Sequence, residues 1–212
     1  MNSQSDRSGF FAGADKVGTF LFTNLAWAVL SITVIGIPFA TLGLFAMMNE
    51  WVQGRQPELF KVFWGAIRTH WQKVIFITLI DIAISGILYV NFSVFRFMSL
   101  DNILAILSLT MTVCVALLFI GVNIYIWSLM PLLNISTKNL IKLSLVLILT
   151  YPLKSLLISS SIIIPIILSL FLPIAFFMFV TVATSAYIAV RGTWWILQQH
   201  FSVEELEALI NE

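Results

Sequence analysis

Charge is what this sequence has least of. Only 10% of its 212 residues are Asp, Glu, Lys or Arg, against about 25% in a soluble domain. Hydrophobic residues make up 60%, and the mean hydropathy is +1.02. The few charges are unevenly spread: none lies between Lys16 and Glu50, between Asp101 and Lys138, or between Lys154 and Arg191. Too little polar surface remains to cover such a chain in water, which excludes a soluble enzyme and a disordered tail. The net charge of +1 leaves no basic field to attract nucleic acid. Cysteine is reduced to Cys114, inside an apolar run, which excludes an intramolecular disulfide and a paired-cysteine metal site. A phosphate-binding loop, an HExxH zinc motif and a nucleophile elbow are also missing. His70 and His200 stand far apart, each beside an apolar segment. No catalytic residue, cofactor or metal is therefore expected, and the chain reads as a non-enzyme.

What is there is long apolar runs. A membrane crossing needs about 20 apolar residues to span roughly 30 Å of hydrocarbon, and several stretches reach that length. The expected fold class is an all-α membrane protein. Its bundle has five full transmembrane helices, one shorter membrane helix and an amphipathic interfacial helix. The crossings are expected over about 17–36, 74–95, 103–129, 152–171 and 174–193, with the short helix over about 38–53. Residues 1–16 and 198–212 flank this domain. The first sixteen residues enter an apolar stretch too long for a signal sequence and lack a small-residue cleavage site, so the segment reads as retained.

Gly36-Ile37-Pro38 divides the first run, because proline removes a helical hydrogen bond. Pro152 is expected to open the fourth crossing, where proline is tolerated. A rival break at Pro165 would leave Lys154 in mid-membrane at a cost of about 2.5–3.5 kcal/mol. Thr137 to Thr150 reads as a juxtamembrane helix, and Ser202 with Glu205 has capping-box spacing in the tail. Reading 17–53 as a hairpin puts ten Lys and Arg residues on one side and Arg96 alone on the other. The positive-inside rule then places both termini in the cytoplasm. The lean loops fit a bacterial cytoplasmic membrane.

Two sets of residues stand out. Asp81 lies deep in an apolar stretch, and ionisable groups there usually face a bundle or a water-filled cavity. Ser85 and Tyr89 follow at i+4 and i+8. Asp81 either pairs with Lys154, or stays neutral and hydrogen-bonds a hydroxyl such as Thr184. Asn24 with Ser31, Asn123, and Thr181 with Thr184 and Ser185 read as interhelical glue. The second set is Phe60, Phe63, Trp64, Ile67 and Trp71, which with Val74 recur at helical spacing over 57–73. Such a stripe rests among headgroups or docks on a partner.

Asn24-Leu25-Ala26-Trp27, then Ile37-Pro38-Phe39-Ala40-Thr41, Phe60-Lys61-Val62-Phe63-Trp64 and Trp71-Gln72-Lys73 resemble the YesL-like family of bacterial integral membrane proteins. The family's function is uncharacterised, and the likeness covers mainly the first hundred residues. Its threonine often stands just before the proline, where this chain has Ile37. The resemblance implies an accessory or regulatory role beside carbohydrate uptake, with a carbohydrate ABC transporter as a membrane partner. It carries over no catalytic residue. A small solute transporter or channel with a polar path near Asp81 is the alternative, and a membrane scaffold is a third class.

Overall fold

The computed structural model describes residues 18–95, 103–173 and 177–200, and these are helical with no strand. The helices are α1 (Gly18–Ser31), α2 (Gly36–Val52), α3 (Leu59–Phe95), α4 (Ile103–Leu129), α5 (Thr137–Thr150), α6 (Pro152–Ser169) and α7 (Val182–His200). A π-helical turn, Phe177–Thr181, leads into α7. Three of them, α3, α4 and α6, are long and apolar enough to cross a membrane. Their outward faces carry exposed side chains such as Leu79, Ile82, Leu104, Leu157 and Ile164. An apolar belt of that extent is stable against lipid and not against water.

The first apolar run does fold as two helices, but the break differs from the sequence expectation. The chain turns at Ile32–Ile35, and Pro38 sits in the first turn of α2. The first N–H groups of a helix have no intrahelical partner, so proline there costs no hydrogen bond and starts α2. Gly36 N–H donates to Thr33 O at 2.8 Å. A Cβ at Gly36 would collide with the Leu30 carbonyl, so only glycine lets the chain double back. Within the described residues, α1 is an apolar helix that ends at this turn. At the far end of α2, Gly54 adopts a φ of 77°. Its N–H reaches Trp51 O at 3.0 Å, and Arg55 N–H reaches Glu50 O at 3.0 Å. This is the Schellman closure that a glycine after the C-cap permits.

The interfacial helix over 57–73 and the crossing over 74–95 are one element. The 37 residues of α3 run without interruption, because no proline breaks the ladder between Leu59 and Phe95. Four residues of α3 are buried, Phe63, His70, Val74 and Ile77, and their spacing defines one helical face. Helix α6 starts at Pro152 as expected and continues through Pro165. Helix α7 runs past the expected end at 193, because Trp194, Ile196 and Leu197 are buried in the core. The termini and the link around Arg96 lie outside the described residues, as does the expected cap at Ser202.

The core gathers at one end of the molecule. Leu42, Leu44, Met47 and Met48 of α2 meet Phe63 and Ile77 of α3, Tyr125 and Leu129 of α4, and Val190 and Trp194 of α7. The ends of α3 and α4 remote from this cluster carry mostly exposed apolar side chains. Close approach of α2 to α3 depends on Gly43: a Cβ there would stand 2.7 Å from the Phe63 ring.

Candidate functional site

Asp81 is held by α4. Asn123 Nδ2 donates to Asp81 Oδ1 at 3.1 Å and to Phe119 O at 3.2 Å. The other face of the same amide, Asn123 Oδ1, accepts from Trp127 Nε1 at 3.2 Å. One carboxamide therefore orients the carboxylate and satisfies an indole in the same apolar region. Asp81 and Asn123 line a cavity of about 200 Å³ whose remaining walls are apolar, among them Ile77, Ile84, Val122 and Leu145. Such a space suits an apolar group with a single polar end.

The other members of the Asp81 set lie elsewhere. Ser85 is exposed and Tyr89 is 73% exposed. A row at i, i+4 and i+8 rotates about 40° per step around a helix, enough to carry it from the α4 contact to the outside. Lys154 does not pair with Asp81. Its ammonium lies 5.1 Å from the ring centroids of both Tyr151 and Trp195, and it donates to Gln199 Oε1. It thereby joins the start of α6 to the end of α7. The hydroxyl alternative is not adopted either, since Thr184 Oγ1 donates to Val180 O at 2.8 Å.

Of the expected glue residues, Asn123 and Asn24 bridge helices. Asn24, fully buried on α1, accepts from the Ala183 N–H at 3.0 Å through its Oδ1. Ala183 stands two residues beyond the end of the π turn, where the change of helical register disturbs the regular bond pattern. Trp27 Nε1 donates to Thr41 Oγ1 at 3.3 Å and fastens α1 to α2. The motif residues Asn24, Trp27 and Thr41 thus hold the α1–α2 hairpin together and tie it to α7.

Sequence reasoning missed Asn49. Buried on α2, it donates to Phe45 O at 3.0 Å and to Ser128 O of α4 at 2.9 Å. Its Oδ1 accepts from Trp194 Nε1 of α7 at 3.1 Å. Three helices meet on one side chain. The available signal was an uncharged amide within an apolar run, the same signal that marked Asn24. Tyr125 and Ser155 form a similar bridge at 2.7 Å between α4 and α6, with Ser155 Oγ donating onward to Tyr151 O at 2.9 Å.

The aromatic stripe on α3 is split between two faces. Phe63 is 2% exposed and Ile67 packs partly buried against the core. Phe60 (74%), Trp64 (43%) and Trp71 (49%) face outward, with Lys61 and Arg68 among them. The inner residues secure α3 to α2, so only the outer row is open to a partner.

Comparison with curated proteins and with solved structures returns no match. A family model described as "Protein of unknown function, DUF624" matches residues 20–92. That stretch takes in most of α1, all of α2 and nearly all of α3, and so contains Asn24, Asn49, Asp81 and the outer row. Over the α1–α3 unit, the chain is similar to this family of unknown function.

Proposed function

We propose that the chain is a non-enzymatic accessory or regulatory component of bacterial carbohydrate uptake. In this reading it is a YesL-like protein of the cytoplasmic membrane that docks on a carbohydrate ABC transporter. The outer row of α3 carries the reading. A helix of 37 residues is about 55 Å long, well beyond roughly 30 Å of hydrocarbon. Tilts of membrane helices stay below about 40°, so part of α3 must project. The charged turns bearing Lys61, Arg68 and Lys73 are the part suited to project, and Phe60 and Trp64 stand among them. Large aromatic side chains at such a place are typical interface anchors. The accompanying topology has five full crossings, the short α2 and both termini in the cytoplasm. The ten-to-one distribution of Lys and Arg supports it.

The test is co-purification with the permease subunits of a carbohydrate ABC transporter in mild detergent. Phe60→Ala combined with Trp64→Ala should abolish it while insertion and thermal stability hold. Co-purification unchanged by the pair would remove the docking role. The cavity beside Asp81 favours a second reading, a small solute transporter or channel. Solute flux in proteoliposomes that Asp81→Leu abolishes would support that reading instead.

A further inference from the structure

A groove of about 340 Å³ lies between α6 and α7. Its volume is within the range of about 300–1,000 Å³ usual for small-molecule sites. Leu157 and Ile188 are among its apolar walls, and Tyr187, Arg191, Trp195 and Gln198 bring polar groups to it. Gly192 brings the two helices together where it and Ile158 line the groove: a Cβ there would stand 2.6 Å from Ile158 Cγ1. We propose that this groove binds an anionic phospholipid, with its phosphate on Arg191 and an acyl chain along the apolar wall of α6.

Charge selects the headgroup. Neither α6 nor α7 contains an acidic residue. Arg191 is exposed on α7 and forms no ion pair with any described residue. A guanidinium on the flank of a membrane protein is costly without a counter-charge, and its fork of N–H donors matches phosphate oxygens. Lys154 adds positive charge at the same groove, since its ammonium lies 5.1 Å from the centroid of the Trp195 ring. Two cations and no carboxylate repel a choline headgroup and attract one with net negative charge. Height agrees with charge. The 18 residues of α6 span about 27 Å at 1.5 Å per residue, close to the roughly 30 Å of hydrocarbon. Its start at Pro152 therefore marks one boundary of the membrane, and the Lys154–Gln199 hydrogen bond brings the end of α7 to the same boundary. Gly192 faces Ile158, six residues into α6, which sets Arg191 about 9 Å inside that boundary. An arginine stem snorkels over such a distance to the phosphate level. Further along, Leu157, Ser161, Ile164 and Leu168 recur at helical spacing on one face of α6. Ile164 and Leu168 are exposed, so an acyl chain leaving the groove continues along this stripe.

The experiment uses the full chain in nanodiscs made of equal parts phosphatidylcholine and phosphatidylglycerol. The protein is released into mild detergent, and the lipids it retains are counted by native mass spectrometry. Retention of phosphatidylglycerol in preference to phosphatidylcholine is expected. Arg191→Gln should lower that retention about fivefold, with the thermal midpoint of the delipidated protein unchanged, because no ion pair is lost. Leu157→Trp is an independent variant: it narrows the groove at an exposed position without altering charge, and it should lower retention too. Lys142→Gln, on the exposed side of α5, should leave retention as it was. Equal retention of the two lipids overturns the proposal, as does a preference that survives Arg191→Gln or Leu157→Trp. The groove shares no residue with the outer row of α3, so this result is independent of the transporter test.

Discussion

Single amides decide how these helices are joined. Asn49 makes three hydrogen bonds to three partners, and truncation would leave both the Trp194 indole and the Ser128 carbonyl without theirs. Stranding buried polar groups costs about 1–3 kcal/mol each. Asn49→Ala should therefore destabilise the protein by about 2 kcal/mol or more, measured by denaturant unfolding in detergent micelles. Trp194→Phe removes one of those bonds and should cost less. Asp81 is a contrasting case. Asp81→Asn keeps an oxygen for Asn123 to donate to, so stability should change by under about 1 kcal/mol. Asn123→Leu, which strands both Trp127 Nε1 and the Asp81 carboxylate, should change it by more. A large loss from Asp81→Asn would show that its charge has a structural role beyond this hydrogen bond.

At the scale of elements, α3 has two unlike faces. The face through Phe63, His70, Val74 and Ile77 closes the core, and the row through Phe60, Trp64 and Trp71 stays outside. The inner face tolerates little change, because α2 approaches it at Gly43. Gly43→Ala would press a methyl group against the buried Phe63 ring, 2.7 Å away. Overpacking of this kind costs about 1–3 kcal/mol. Thermal unfolding in detergent should show that loss, and Phe63→Leu in the Gly43→Ala background should recover part of it. The same Phe63→Leu change alone should be destabilising, because it leaves a cavity in the core.

At the scale of the whole molecule, packing is concentrated around α2, which lies against α3, α4 and α7. The remainder presents apolar side chains outward. The proposed topology predicts that single cysteines at Ser3 and Glu212 react only with reagent applied from the cytoplasm. The background for this experiment is Cys114→Ser, which should cost little because Cys114 is exposed. Labelling of Ser3 from outside would remove the hairpin arrangement of α1 and α2 and reverse the assignment of the N-terminus.

The sequence by itself determined the helical membrane class, since apolar length and the clustering of charge are properties of the chain alone. It also determined the start of α6 at Pro152, because proline's missing N–H is harmless at a first helical position. It marked Asn24, Asn123 and Asp81, since amides and carboxylates in an apolar run require partners wherever they are. Only the tertiary structure decided who those partners are: Asn123 for Asp81, the Ala183 N–H for Asn24, and aromatic rings with Gln199 for Lys154. Partner choice depends on which helices touch and at what height, and helical periodicity carries neither quantity. The same limit applied to the aromatic stripe. Its spacing fitted one amphipathic face, but α2 covers Phe63 while Trp64 beside it stays open. Pro38 shows the limit at the backbone. Its residue type announced a break, and the turn at Ile32–Ile35 set it one turn earlier, because proline fits the unpaired first turn of the helix that follows.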